Sequence, residues 1–210
     1  MKLITTLCCV LLLFVLNTNS HAATVFVNGT AAGLNDGSTW ANAFTDLQDA
    51  LDTATPADEI WVAQGTYFPT APPDGTSVNL RDRSFHWNTD LKIYGGFDGT
   101  ETTLAARNAA VNETILSGDF NGDDAVAGEG HTLVLSNNTE NAFHVTVVAF
   151  VGNAAILDGF TISGGNATGS NNLSAVGYGN IDRRRGGGQI CRNADMTISN
   201  CIFKHNQGYR

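Results

Sequence analysis

Positive charge is scarce in this chain: 11 Lys and Arg residues stand against 20 Asp and Glu residues in a total of 210, giving a formal net charge of −9 at pH 7. An acidic surface repels the phosphates of nucleic acids. We therefore expect no nucleic-acid partner, whereas a polysaccharide or a surface protein remains compatible with the charge.

Long apolar runs are rare as well. One run, Leu3 to Leu16, follows Met1-Lys2 and precedes the small-x-small sequence Ser20-His21-Ala22. This layout is typical of a secretory signal peptide, so residues 1–22 are predicted to be removed. A membrane anchor is the alternative, but the run would span only about 21 Å, against roughly 30 Å for a bilayer core. The sequence thus predicts a secreted or cell-surface protein with no transmembrane helix after signal removal.

Cysteine is nearly missing from the predicted mature chain. Cys8 and Cys9 lie in the signal peptide, which leaves Cys191 and Cys201. These two could form a disulfide in an oxidising compartment, or Cys201 could be a buried, unpaired residue. The sequence leaves their pairing open.

Familiar catalytic motifs are also missing. The chain has neither the G-x-S-x-G sequence of a nucleophile elbow nor the H-E-x-x-H sequence of a zinc site. Both motifs carry recognisable chemistry because their spacing places the reacting groups on one turn or one helix face. No catalytic residue is therefore assigned.

What the chain does have is a short pattern that returns along its length. LDGFTISGG (157–165), LKIYGGF (91–97), EIWVAQG (59–65) and ISNCIF (198–203) each place apolar residues two apart before a turn residue. One alignment sets Phe160 over Cys201 and Leu91, Ile162 over Phe203 and Ile93, and Leu157 over Ile198. Equivalent strands with one inward face stack only if the chain coils. The pattern predicts an all-β right-handed parallel β-helix over residues 58–210.

Residues 23–57 are predicted to form a strand and a helix in front of the coils. Apolar residues recur at helical spacing from Ala43 to Ala54, before Pro56, and Asp residues occupy the opposite face. The first coil of a solenoid otherwise exposes an apolar cross-section and unpaired strand edges. We expect this amphipathic helix to cap it, with contacts from Trp40, Phe44, Leu47 and Leu51.

Several stretches in this order carry a specific resemblance: STWANAFTDLQDAL, ADEIWVAQGTYFP, IYGGFDGTE, ARNAAVNETILSGDFNGDD and LDGFTISGGNA. The chain resembles, over roughly residues 24–207, the amino-terminal region of large secreted bacterial right-handed parallel β-helix proteins. These are pectin-lyase-like in fold and related to the polymorphic outer-membrane-protein repeat group. The resemblance implies a bacterial surface or secreted protein, and the lack of a closing cap at the carboxyl end leads us to expect further coils beyond it.

An Asp-x-Asn-x-Asp run suggests a cation site. Asp119, Asn121, Asp123 and Asp124 place oxygen-bearing side chains in a tight turn, as the start of a calcium loop does. Position six is Asp124 instead of Gly and position twelve is Gly130 instead of Glu, so the run is not an EF-hand. We expect either a partial Ca²⁺ loop or a polar Asx-turn.

Two further groups are candidate ligand-binding residues. Trp61 lies between the inward residues Ile60 and Val62, so alternation turns it outward as a platform for a sugar ring. The insert of residues 166–185 leaves the coil as a loop, and such loops often lie on the binding face. Its candidates are Tyr178, Arg183, Arg184 and Arg185.

Two functions follow from these observations. The first is a non-catalytic, adhesin-like β-helix that binds a glycan or a protein. The second is the front part of a secreted polysaccharide lyase or glycoside hydrolase. Lyases of the resembled fold pair Ca²⁺-binding acids with an Arg or Lys base, and the residues available for those roles here are Asp182, Arg183, Arg192, Asp195 and Lys204. Their spacing singles out no member, so we favour the binding protein.

Overall fold

The computed structural model describes residues 22–129 and 132–209, which form an all-β structure. The predicted signal peptide lies outside these residues except for Ala22. No helix within the described ranges is long and apolar enough to cross a membrane. The strands are β1 (Thr24–Val27), β2 (Glu59–Ala63), β3 (Gly65–Tyr67), β4 (Phe85–Trp87), β5 (Lys92–Phe97), β6 (Thr114–Ser117), β7 (Ala125–Ala127), β8 (Val134–Ser136), β9 (Thr146–Ala149), β10 (Ile156–Asp158), β11 (Phe160–Ser163), β12 (Asn166–Ala167), β13 (Asn172–Ala175), β14 (Gly179–Asp182), β15 (Gln189–Arg192), β16 (Thr197–Ser199), β17 (Ile202–Lys204) and β18 (Gln207–Gly208); the α-helix α1 is Leu47–Thr53.

Three parallel sheets are built by successive passes of the chain. The first sheet has the order β1-β2-β5-β10-β16, the second β3-β6-β11-β17 and the third β4-β9-β15. A pass therefore adds one strand to the first sheet, then one to the second, then one to the third. β12 and β18 pair in parallel between the second and third sheets. Two antiparallel hairpins, β7–β8 and β13–β14, leave this parallel arrangement as insertions.

Single residues with left-handed backbone angles let the chain turn from the first sheet to the second. Gly159 (φ +85°) joins β10 to β11, and Asn200 (φ +49°) lies at the equivalent place after β16. Glycine adopts such angles freely and asparagine tolerates them better than most residues. The Gly and Asn residues that follow the apolar pattern in the sequence are thus the corners of the fold.

The main core lies between the three sheets. Leu91, Ile93, Phe160 and Ile162 point into it and are at most 1% exposed, as predicted from the alternation. Phe203 was also predicted to point inward, and it pairs with Ile162 as expected. It is nevertheless 45% exposed, because β17 is the outermost described strand of the second sheet and no described strand covers its other side.

The predicted strand alignment is half correct. Leu157 pairs with Ile198 and Ile162 with Phe203, as expected. However, Leu157 pairs with Ile93, and Phe160 pairs with Thr114 instead of with Leu91. LKIYGGF belongs to the first sheet, whereas Phe160 lies beyond the corner at Gly159 in the second sheet, so the two segments cannot stack directly.

The helix α1 is shorter than predicted. It begins at Leu47 because Asp46 is its N-cap and accepts a hydrogen bond from the Gln48 amide at 2.8 Å. Phe44, predicted to be helical, is extended and forms a bridge with Val27. Leu47 and Leu51 are nevertheless buried in the main core, as expected for a helix that covers it.

The amino-terminal end of the stack is closed by backbone and side-chain hydrogen bonds. Gly37 accepts from the Phe26 amide, and the Phe44 amide donates to the Phe26 carbonyl, so the free edge of β1 is covered. Gln48 lies against β4: its Oε1 accepts from the His86 amide and its Nε2 donates to the His86 carbonyl, both at 3.1 Å. A side-chain amide thereby occupies the place of a neighbouring strand.

Candidate functional site

A groove runs beside the corner between the first and second sheets. The loop before β6 forms one wall, and the end of β10, the start of β11, the corner residue Asn200 and the start of β17 form the other. It consists of two adjoining hollows of about 450 and about 290 Å³. Both hollows are lined by Ala109, Ala110, Asn200 and Ile202.

An ion pair forms the floor of the larger hollow. Arg107 pairs with the Asp158 carboxylate and donates to the Gly95 carbonyl at 2.8 Å. Asp158 also accepts from the Asn200 side chain at 3.0 Å and from the Ser199 hydroxyl. Burial alone would raise the pKa of Asp158, but the bonds from Ser199, Arg107 and Asn200 outweigh it and lower that pKa. Asp158 is therefore ionised at neutral pH and holds the wall together.

The smaller hollow combines a charged group with apolar surface. Glu113 accepts from the Thr161 hydroxyl at 2.9 Å and lies 3.6 Å from the Lys204 ammonium. Val111 and Ile202 are 72% and 57% exposed beside it. Such a surface offers hydrogen bonds and flat apolar contact together, which is what the hydroxyl-bearing edges and the C–H faces of a sugar require.

The prediction that Trp61 is an exposed platform is wrong. Alternation does turn Trp61 away from the main core, but the residue is only 6% exposed. Phe97 stacks on its ring with centroids 4.8 Å apart, and Phe26 meets it edge-on at 5.8 Å. Trp40 belongs to this outer cluster as well, through Phe26 and Phe97, and its Nε1 donates to the Glu101 carbonyl. Strand alternation correctly predicted the direction of Trp61, but the residues that cover its ring lie far from it in the sequence.

Tyr178 is also covered. It lies in the turn of the β13–β14 hairpin, which packs on the outer face of the third sheet with Leu173 and Ile181. Its ring meets His86 edge-on at 5.4 Å, and burial raises the pKa of Tyr178 to about 12. At 9% exposed it offers no free face to a ligand, so it does not serve as predicted.

The three consecutive arginines do not form one cationic surface. Arg183 makes a two-point ion pair with Asp82, with both N–O distances 2.6 Å, and the Asp82 side chain is only 2% exposed. Arg184 pairs with Asp182 at 3.0 Å. Arg185 lies 3.5 Å from Asp182 and is the most exposed of the three, at 84% of its side chain against 53% for Arg184. Arg183 thus ties the hairpin to the chain before β4. It is therefore not free to bind a ligand, contrary to the prediction.

Three further residues considered for lyase chemistry make polar contacts within the protein. Arg192 donates to the Asn180 carbonyl at 3.0 Å, and Lys204 lies beside Glu113. Asp182 is shared by Arg184 and Arg185. These contacts hold the hairpin and the edge of the groove.

The predicted calcium loop is partly assembled. Asp119 accepts hydrogen bonds from the backbone amides of Gly122, Asp123 and Asp124, so it organises the turn as an Asx-type cap. Asp124 accepts two bonds from the Asn141 side chain. Burial raises the pKa of Asp124, with smaller contributions from the nearby acids, and these effects outweigh the lowering by the Asn141 hydrogen bond.

A residue that the sequence did not suggest completes the acidic cluster. Oxygens of Asp119, Asp123 and Glu140 lie within 4.8 Å of one another, and Asp124 is not part of this group of carboxylates. Glu140 is brought there by the return of the β7–β8 hairpin. Its Oε1 is buried and, among the described residues, has no hydrogen-bond partner. The local spacing around Asp119 held no indication of Glu140.

Comparison of the chain with known protein families, with characterised proteins and with solved structures finds no match.

Proposed function

We propose that this protein is a secreted or cell-surface right-handed parallel β-helix of bacteria that binds a neutral polysaccharide in the groove and catalyses no reaction. The repeated passes through three parallel sheets support the β-helix. The right hand is the expected one because connections between parallel strands of one sheet are right-handed in nearly all proteins. The predicted signal peptide supports export.

The groove is the observation that carries the binding function. Asn108 and Asn200 line it with polar side chains, and Ala110 and Ile202 supply apolar surface beside them. Asp158 and Glu113 place carboxylates at the two hollows. Arg107 pairs with Asp158 and Lys204 lies beside Glu113, so these charges largely cancel and the groove suits an uncharged polymer.

The engagement of the charged groups supports binding without catalysis. Asp158 is held ionised by Arg107 and Asn200, and Glu113 already accepts from Thr161. General acid catalysis would need a carboxyl group that keeps its proton near neutral pH, usually through a raised pKa. The pKa of Asp158 is shifted the other way.

Isothermal titration with a panel of soluble neutral polysaccharides tests the proposal. Val111→Lys places a long charged side chain at the groove, and Val78→Lys makes the same change at a 96% exposed residue that does not line it. We expect the first variant to weaken binding at least about tenfold, which corresponds to about 1.4 kcal/mol, and the second to leave it unchanged.

Equal affinities in the two variants, or no binding to any of the panel, would refute the groove as the binding site. Release of shortened or unsaturated sugars during the titration would favour the alternative, a polysaccharide hydrolase or lyase. If a surface protein binds instead and Val111→Lys abolishes that binding, the groove is still the binding site but its ligand is a protein.

A second candidate function is Ca²⁺ binding by Asp119, Asp123 and Glu140. It is favoured by the buried, unpartnered Oε1 of Glu140 beside two further carboxylates, because hard cations take such oxygens as ligands. A cation bound only to the folded state stabilises it by about 2.7 kcal/mol at a hundredfold excess over its dissociation constant. We expect millimolar Ca²⁺ to raise the melting temperature relative to chelator, and Glu140→Gln to remove this increase. A Ca²⁺ response that Glu140→Gln leaves intact would contradict the site.

A further inference from the structure

A third hollow lies beside β3, at the edge of the second sheet that is farthest from β17. It measures about 290 Å³ and is lined by residues of β3, of the segment after β3 and of the chain just before α1. Tyr67 points into the main core, so alternation places its neighbours Thr66 and Phe68 on the outer face of the sheet. Phe68 is 41% exposed there. We call this cavity the Phe68 hollow.

The Phe68 hollow combines an aromatic ring with oxygen atoms that can accept hydrogen bonds. Asp46 lines it and accepts from the Thr70 hydroxyl at 2.6 Å and, at its other oxygen, from the Gln48 amide at 2.8 Å. A carboxylate has about four acceptor positions, so Asp46 can accept further hydrogen bonds. Phe68 adds an apolar face and Thr66 adds a hydroxyl. This combination suits the hydroxyl groups and the C–H faces of a sugar ring.

The charge in the Phe68 hollow narrows the class of ligand. Among the described residues that line it, Asp46 is the only charged one. A phosphate, a sulfate or a uronate would be repelled by this carboxylate, since no Lys or Arg is among those lining residues. A neutral sugar brings hydroxyl donors and no negative charge, so it fits both the charge and the acceptor groups.

One row of residues joins the Phe68 hollow to the groove. Thr66 pairs with Ile115, Ile115 with Thr161, and Thr161 with Ile202 across the four strands of the second sheet. Thr66 lines the Phe68 hollow, while Thr161 and Ile202 line the smaller hollow of the groove. Neighbouring strands lie about 4.8 Å apart, so Thr66 and Thr161 are about 10 Å apart. Both cavities are therefore on one outer face, within reach of one extended ligand.

We infer that the Phe68 hollow is a second sugar-binding subsite, in which Phe68 stacks on a ring of the neutral polysaccharide and Asp46 accepts hydrogen bonds from its hydroxyl groups. The polysaccharide lies across β3, β6, β11 and β17, from the Phe68 hollow to the groove. The class of ligand rests on the proposed function, but Phe68 and Asp46 are not among the residues that line the groove. A long ligand binds more tightly than a short one, because its second contact is intramolecular once the first has formed.

Isothermal titration with linear neutral oligosaccharides tests the inference on the chain without its predicted signal peptide. The probes are cellobiose, mannobiose and maltose, each compared with the hexasaccharide of its series. Phe68→Ala removes the stacking ring and should weaken hexasaccharide binding at least about tenfold. Phe68→Trp keeps an aromatic face and should retain the affinity of the parent protein. Phe150→Ala is the matched control, since it makes the same change at a 52% exposed residue directly after β9 in the third sheet, and it should leave the affinity unchanged.

Gly29→Leu tests the same cavity by filling it. Gly29 lines the Phe68 hollow, and a Cβ atom at this position would lie 3.7 Å from the Tyr67 ring, which is ordinary van der Waals contact. The leucine side chain can therefore be accommodated, and it takes up volume that a sugar would need. We expect Gly29→Leu to weaken hexasaccharide binding as much as Phe68→Ala does. Circular dichroism checks that each variant is folded.

The groove variant Val111→Lys separates this inference from the proposed function. Loss of hexasaccharide binding in Val111→Lys, together with unchanged binding in Phe68→Ala and Gly29→Leu, would overturn the inference and leave the groove as the binding site. The reverse result would support the Phe68 hollow and refute the groove. Equal affinities of the parent protein for a disaccharide and its hexasaccharide would contradict a ligand that spans both cavities. No binding of any probe by the parent protein would overturn the inference as well.

Discussion

Replacing Gln48 with leucine tests how the amino-terminal end is closed. Gln48 is 2% exposed, and its amide satisfies both the N–H and the C=O of His86. Leucine has a similar volume and cannot form either bond, so two buried backbone groups lose their partner. Each such group costs about 1–3 kcal/mol, so we expect Gln48→Leu to lower the free energy of unfolding by about 2–6 kcal/mol. Urea unfolding followed by circular dichroism measures this change.

Asp52→Ala is the matched control for this substitution. Asp52 accepts from the Gln48 Nε2 at 2.9 Å, but its removal leaves both bonds between Gln48 and His86 in place. We expect the free energy of unfolding to fall by about 1 kcal/mol or less, as for the loss of one partly buried hydrogen bond. Hydrogen exchange gives a local measurement, because the His86 amide should lose protection in Gln48→Leu and keep it in Asp52→Ala. Equal stability of Gln48→Leu and the parent, or an unchanged His86 amide, would refute the idea that Gln48 replaces a strand.

Two further predictions concern His144 and Phe150. Burial lowers the pKa of His144 from 6.5 to about 4. As the pH drops, the imidazole is protonated in the unfolded chain before it is protonated in the folded protein, so the free energy of unfolding should fall between pH 6.5 and pH 4. At about 1.4 kcal/mol per pH unit, the total loss is about 3 kcal/mol. Urea unfolding at pH 7 and pH 4.5 should show a smaller loss in His144→Asn than in the parent, and equal losses would exclude His144 as the cause. Phe150 has a left-handed backbone (φ +57°), is 52% exposed and occupies the position that Asn193 takes one pass later. Phe150→Asn should relieve about 1 kcal/mol of backbone strain and raise the melting temperature by about 2–4 °C. A lower melting temperature would mean that contacts of the Phe150 ring stabilise the fold by more than the strain costs.

The direction of individual side chains could be predicted from the sequence, because strand alternation is local. Ile60 and Val62 point into the main core and Trp61 points out of it, as the alternation required. The assignment of a segment to a sheet could not be predicted in the same way. LKIYGGF and FTIS look alike at short range, and only the left-handed corner at Gly159 separates the first sheet from the second.

The candidate site depended on contacts between residues far apart in the chain, and these the sequence concealed. Trp61 was predicted to be exposed, but Phe97 stacks on its ring. Arg183 was predicted to be free, but it pairs with Asp82, about a hundred positions earlier in the chain. Glu140 joins Asp119 only because the β7–β8 hairpin returns to the same point. Local composition identifies residue types that bind ligands, but it does not tell which of them the fold has already engaged.

Whether a side chain already contacts a partner also decides where on the molecule a ligand can bind. The aromatic and cationic residues that looked most suited to a ligand hold the outer cluster and the β13–β14 hairpin in place. The groove at Asn108, Asn200 and Ile202 has a weaker signature in the sequence, yet it leaves polar and apolar surface open together. A residue that already contacts a buried partner must give up that contact to bind a ligand, which costs about 1–3 kcal/mol. We therefore expect a ligand to bind more favourably in the groove than at Trp61, Tyr178 or Arg183.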